Sequence, residues 1–109
     1  MAPRKRLEAS IEQAVVDHAR KMGVVCRKMN GLGNRAWPDR MFLHQGKVLF
    51  IEFKREGLKP TPLQAKFHAM LQKHDFAVRV VDNVALGKVV VNDWLSGHSV
   101  NNWPNTNVH

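Results

Sequence analysis

The stretch Asp39-Arg40-Met41-Phe42-Leu43-His44-Gln45-Gly46-Lys47-Val48-Leu49-Phe50-Ile51-Glu52-Phe53-Lys54 decides the fold. Two runs rich in apolar residues flank Gln45-Gly46, a dipeptide suited to a tight turn, so 39–44 and 47–54 read as the strands of a hairpin. The second run is nearly all apolar from Val48 to Phe53, as for a central strand covered on both faces. It nevertheless carries Glu52 and then Lys54. Side chains alternate along a strand, so these two emerge on one face and Ile51 and Phe53 on the other. Burying two unpaired charges is costly, which leaves three readings: the strand end is exposed, the two pair together, or they hold something. Counting outward from the turn, antiparallel pairing sets Asp39 almost opposite Glu52. Two carboxylates a few ångströms apart repel unless a divalent cation lies between them, and magnesium favours a few carboxylate oxygens completed by water and phosphate. The spacing therefore predicts a hard-cation site at the open end of the hairpin. Lys54, beside it, is placed to stabilise developing charge or to orient and deprotonate an attacking water.

On the N-terminal side of the hairpin, Leu7, Ile11, Ala14, Val15, His18 and Met22 recur at three- and four-residue steps, predicting a helix over 7–22 that Gly23 ends. Val24 to Met29 reads as a short strand, and Asn30-Gly31-Leu32-Gly33-Asn34 as a flexible loop closed by Trp37-Pro38. On the C-terminal side, Arg55 to Pro60 is a polar loop. Thr61-Pro62-Leu63-Gln64 then supplies a helix start with a hydroxyl cap, a proline in first position and a glutamine in third. Leu63, Phe67, Met70 and Leu71 mark the expected buried face of that helix. Ala77 to Val81 is β-branched and reads as a strand. The segment from Asp82-Asn83 to Leu95 reads as a helix despite Gly87 and Val89-Val90-Val91. The predicted order is α-β-β-β-α-β-α, a mixed α/β sheet flanked by helices. The domain is expected to occupy 1–95. Residues 96–109 turn to Gly, Ser and Asn without periodicity and are expected to form a loosely ordered tail.

At 109 residues, 44% hydrophobic and 24% charged, the chain has room for one domain with its own core. No run approaches the roughly 18 apolar residues that would span a bilayer. Met1-Ala2-Pro3-Arg4-Lys5-Arg6 leads into an amphipathic pattern rather than a signal-peptide core. Cys26 is the single cysteine, which rules out an intrachain disulfide and suits reducing cytoplasm, so the protein is expected to stay inside the cell that makes it. The formal net charge of +8 favours a polyanionic partner, nucleic acid by default.

Pro38-Asp39 followed by Glu52-Phe53-Lys54 resembles the PD-(D/E)xK nuclease superfamily. The context Trp37-Pro38-Asp39, Ile51-Glu52-Phe53-Lys54 and Thr61-Pro62-Leu63-Gln64 is similar to its VRR-NUC branch, the virus-type replication-repair nucleases. The similarity runs from about Leu7 to Asp82, with Ala36 where the family motif has glycine. The resemblance implies a restriction-endonuclease-like fold and a DNA endonuclease dependent on Mg²⁺, with Mn²⁺ as a substitute. It implies that Asp39 and Glu52 bind the metal, that Lys54 serves the water and the scissile phosphate, and that Gln64 supports the site. It further implies a carboxylate from the first helix, for which Glu12 matches best with Glu8 one turn earlier in reserve, and a contribution from the backbone carbonyl of Phe53. Stand-alone members of this branch suggest a homodimer acting on branched DNA such as Holliday junctions. A non-catalytic DNA-binding or recruitment module is the alternative.

Gly31-Leu32-Gly33-Asn34-Arg35-Ala36 formally fits a dinucleotide-binding GxGxxA pattern, but that chemistry needs a helix to start inside the loop, and Pro38 with the following strand forbids it. The loop, with Arg27, Lys28 and Arg35 nearby and Arg55 beyond the third strand, is instead a candidate contact for DNA phosphates. The six histidines are scattered, with no paired metal-ligand spacing beyond His68 and His74, and each is expected at the surface or in the core. Trp103 is expected to pack on its own domain or a partner, or to stack on a base.

Overall fold

The hairpin forms around a two-residue turn in which Gln45 (φ 48°) and Gly46 (φ 80°) both take left-handed backbone, the arrangement that matches strand twist. A computed structural model describes residues 4–29 and 36–101. Its elements in chain order are α1 (Arg4–Lys21), β1 (Val25–Lys28), β2 (Arg40–His44), β3 (Lys47–Phe53), α2 (Pro62–Lys73), β4 (Ala77–Val81) and α3 (Val84–Leu95). This is the predicted α-β-β-β-α-β-α order, with the first helix beginning about one turn earlier than its apolar stripe suggests.

The four strands form one sheet in the order β1-β2-β3-β4. β1, β2 and β3 pair antiparallel, and β4 joins β3 in parallel after the crossover through α2. β3 is thus central among the longer strands, and Leu49, Ile51 and Phe53 are buried beneath α1 and α3 with Val15, Val16, Ala19, Val90, Val91 and Trp94. On the opposite face Phe50 packs with Leu71 and Val78, bordered by Trp37 and Met41. The charged end of β3 therefore belongs to a strand whose apolar residues are sandwiched between two helical layers.

Three expectations need correction. The buried face of α2 is not formed by Leu63 and Met70, which are 59% and 38% exposed; it runs through Gln64, Phe67, His68 and Leu71. Phe67 meets Trp37 edge-on with ring centroids 5.0 Å apart, which sets that rotation. Gly87 does not weaken α3 but lets it approach α1, because a Cβ there would overlap the Cγ2 of Val15. The chain also does not loosen at Ser96. Val100 is 1% exposed in the main core, and Asn101 accepts from the Val78 amide at 2.8 Å and donates to the Phe76 carbonyl at 2.9 Å. An edge strand needs its outward polar groups covered, and this segment covers part of β4. The rest of the expected tail lies outside the described residues. Among the described residues no helix is long and apolar enough to cross a membrane.

Candidate active site

The outermost β2–β3 pair is Arg40 with Ile51, so the next step outward sets Asp39 beside Glu52. Asp39 is fixed twice. Its carbonyl accepts from the Met29 amide at 2.9 Å, and its Oδ2 accepts from the Phe53 amide at 2.7 Å. Phe53 thus enters the site through its N–H. β3 is held on its other side as it ends, since the Lys54 amide donates to the Val81 carbonyl at 2.9 Å. Lys54 and Glu52 emerge on the same face, with Nζ 3.5 Å from Oε2.

α2 adds a third side chain by way of its cap. Thr61 Oγ1 accepts from the Gln64 amide at 3.2 Å, and Gln64 Oε1 accepts from the Thr61 amide at 2.9 Å, a reciprocal capping box. With its oxygen engaged at the cap, the Gln64 side chain turns Nε2 toward the sheet and donates to Glu52 Oε2 at 3.2 Å. Helix capping and contact with the carboxylate are therefore one arrangement.

Glu52 is the electrostatic anomaly. It is 3% exposed; Oε2 faces Gln64 and Lys54, while Oε1 is buried with no hydrogen-bond partner among the described residues. Burial, and next the charge of Asp39, push its carboxyl up from 4.5 to about 7 against the opposing pull of Lys54. Asp39 is raised as well, chiefly by burial; the Phe53 amide opposes this, and the charges of Glu12 and Glu8 add to it. Two carboxyl groups that each resist ionising beside the other are the arrangement a cation relieves.

The donor set fits a magnesium-like ion in chemistry though not as a complete cage. Among the described residues no group of three or more His, Cys, Asp or Glu side chains is gathered to hold a metal. Magnesium does not demand one, since it retains several waters and takes one or two carboxylates together with substrate phosphate. The orphaned Oε1 of Glu52 and the carboxylate of Asp39 supply that minimum as hard oxygen donors.

α1 brings two further carboxylates to the site's margin, and the structure treats them differently. Glu12 Oε2 is held by Arg40 Nε at 2.5 Å, both side chains being largely buried. Glu8 Oε2 accepts from the Arg55 amide at 3.3 Å, a weaker hold on a half-buried group. The Glu8 charge bears on both Asp39 and Glu52, whereas that of Glu12 bears on Asp39. Arg40 went unnoticed in the sequence; an arginine directly after the strand-opening aspartate, two residues from the core position Phe42, was the available signal.

The basic candidates separate. Arg27 and Lys28 are exposed on the edge strand β1, but Arg27 lies in the row of Met41 and Phe50, the sheet face that carries Glu52, and Lys28 in the row of Arg40 and Ile51, on the other. Arg55 follows Lys54 directly and is half-buried. Arg35, the loop Gly31-Leu32-Gly33-Asn34 and Trp103 lie outside the described residues. His74 is exposed, whereas His68, one turn beyond Gln64, is 7% exposed with an Nε2 unpartnered among the described residues; burial and the Lys54 charge hold its pKa below the ordinary value.

No family model matches the sequence. A protein of Acyrthosiphon pisum secondary endosymbiont phage 1 described as "Putative nuclease p44" is 39% identical over 84 residues, spanning 76% of this chain and 90% of that protein. A solved structure described as a VRR_NUC domain shares the fold at a TM-score of 0.73 and 24% identity, over 81% of this chain and 97% of that one.

Proposed function

The chain belongs to the VRR-NUC family, and from that premise we propose that it is a DNA endonuclease that hydrolyses phosphodiester bonds with Mg²⁺, for which Mn²⁺ substitutes. The observation that carries this reading is Glu52: a carboxylate 3% exposed, with one oxygen unpartnered among the described residues, beside a second carboxylate, a lysine and the half-buried amide donor of Gln64. A purely structural strand end would not retain an unsatisfied buried carboxylate, because a neutral residue of the same shape would be more stable.

Asp39 and Glu52 would hold the ion, and Glu8, from α1, would add its negative charge at the margin of the site. Glu8 is preferred to Glu12 because the Arg40 guanidinium already occupies Glu12. When bound, Mg²⁺ supplies a more acidic water and offsets charge on the scissile phosphate. The Phe53 amide keeps Asp39 Oδ2 turned into β3 and so aims Oδ1 outward. Gln64 holds Glu52 Oε2 in position and, as a neutral donor, favours its ionised form. Lys54, tethered near Glu52, presents a cation to a phosphate oxygen or to the attacking water. Arg27 stands on the Glu52 face of the sheet, where a phosphate further along the strand would meet it.

The substrate we favour is branched DNA such as a Holliday junction, cut by a homodimer, since one chain offers one centre and paired cuts in two strands require two. The test is cleavage of labelled linear, flapped and four-way DNA in Mg²⁺, Mn²⁺ or EDTA by wild type, Glu52→Ala and Lys54→Ala. Wild type should cut only with metal, and the variants should not cut. Equal cutting by the variants overturns the site. DNA binding by all three with no cutting by wild type replaces the enzyme with a binding module.

A further inference from the structure

The sheet order leaves β4 with a free edge. At Val78 that edge is covered: its amide donates to Asn101 and its carbonyl accepts from Gln72 Nε2 at 3.3 Å. Backbone groups alternate in direction along a strand, and Val81 turns its carbonyl inward to Lys54, so Val80 turns both its N–H and its C=O outward. Neither meets a partner among the described residues. They open on a cleft of about 500 Å³ between the loop after β3, α2 and the start of α3, a size within the range of small-molecule sites, roughly 300–1,000 Å³. Leu58, Pro60 and Leu86 give it apolar walls, and His68, whose buried Nε2 lacks a partner among the described residues, lines the α2 side. Asp82 braces the loop across the cleft, accepting from the Gly57 amide at 3.2 Å with one oxygen and from Asn83 Nδ2 at 3.0 Å with the other. Lys59 is an exposed cation among the lining residues. Val80 is the register partner of Glu52, so a group bound on the outer edge of β4 lies about two strand spacings, roughly 10 Å, from the strand that bears the cutting carboxylate.

A donor and an acceptor side by side from one residue, between apolar walls, match the edge of a flat heterocycle that offers its own acceptor and donor. A peptide strand would need several consecutive edge residues, and Asn101 with Gln72 already occupies Val78. We propose that this cleft receives an unpaired nucleobase of the substrate strand, turned out of its stack beside the cut, with the Val80 backbone reading its edge and Lys59 meeting its phosphate. The inference rests on the nuclease reading. Its consequence is a preference for DNA with unstacked or unpaired bases, which are the least costly to extrude.

The test separates the two readings because it involves no cutting. The full chain, isotopically labelled and kept in EDTA, is titrated by NMR with each of the four deoxynucleoside monophosphates and with deoxyribose 5-phosphate as a probe lacking the base. The nucleotides should move the Val80 and Leu58 amide signals with half-saturation in the millimolar range typical of a single small contact, about 1 mM. Deoxyribose 5-phosphate should not. Leu58→Trp, a loop substitution that fills the cleft, should weaken the nucleotides by about tenfold or more while leaving the remaining amide signals in place. The proposal is overturned if deoxyribose 5-phosphate moves the same signals equally, if no nucleotide moves them, or if folded Leu58→Trp binds as wild type does. None of these results touches the cleavage assay, and a chain that cuts nothing would not alter the titration.

Discussion

Replacing Glu52 by glutamine keeps the shape of the side chain and its contact with Gln64 but removes the charge, and its effect on stability can be worked out from the site. The rise of the Glu52 carboxyl from 4.5 to about 7, at about 1.4 kcal/mol for each pH unit, means that ionising Glu52 in the metal-free folded chain costs about 3 kcal/mol. At 3% exposure, little solvent screening reduces that figure. The sign follows from proton uptake. The folded state holds a proton on Glu52 between 4.5 and about 7 that the unfolded chain has lost, so stability is greatest below that window and falls as pH rises through it. Glu52→Gln removes this dependence. In urea unfolding with EDTA, wild type and variant should be similar near about pH 5, and the variant should be more stable by about 3 kcal/mol near about pH 8. Adding Mg²⁺ should stabilise wild type and leave the variant unchanged, because the ion binds the ionised carboxylates. Parallel pH profiles of the two proteins in EDTA would refute the claim that Glu52 is held against its ionisation.

Four further outcomes follow from contacts in the same structure. Glu8→Gln should weaken Mg²⁺-dependent stabilisation and cutting by about tenfold or more, with little effect on stability in EDTA. Glu12→Gln should instead destabilise the apo chain by about 3 kcal/mol, through the stranded Arg40, at any Mg²⁺ concentration; calorimetry with and without metal distinguishes the two. Gly87→Ala drives a methyl into Val15 and to within 3.1 Å of Val81 Cγ1, and should lower stability by about 1–3 kcal/mol in thermal unfolding without altering metal response. Asn101→Ala strips the Val78 amide of its partner, should cost about 1–3 kcal/mol, and should increase self-association in light scattering as the β4 edge is uncovered.

Much of this was legible in the sequence, for reasons that can be located. The hairpin was readable because a period of two, a turn that wants positive φ, and a covered strand all agree within sixteen residues, and once its register is set Asp39 and Glu52 follow. The Thr61 cap was readable because capping is local chemistry, and the same locality explains the dual duty of Gln64. What was misread depends on neighbours far along the chain. Leu63 and Met70 look like core in a helix of mixed polarity, yet the rotation of α2 is set by Phe67 against Trp37. The Gly, Ser and Asn after Leu95 look loose, yet Val100 fills the core and Asn101 closes a strand edge that exists only once the sheet order is known.

The choice between Glu8 and Glu12 shows where sequence reading ends and geometry begins. One turn apart on a helix, the two project to the same flank; the family resemblance favours Glu12, and no spacing argument separates them. What separates them is Arg40. Its side chain leaves β2 on the face opposite Glu52, the face on which α1 packs, and there it meets Glu12. A guanidinium that engages one of two adjacent carboxylates leaves the other as the remaining acidic group able to answer a cation at Asp39 and Glu52, and the Glu8 charge is the one felt at both. Arg40 thus anchors the helix to the strand that carries Asp39 and, on this reading, settles which helical charge is left for the metal. Arg40→Met would test that role. It should release Glu12, and a Glu8→Gln chain carrying it should recover part of the Mg²⁺-dependent stabilisation that Glu8→Gln alone has lost. No recovery, in a double variant that remains folded, would mean that the carboxylates are assigned by helix position alone and that Arg40 has no part in selecting between them.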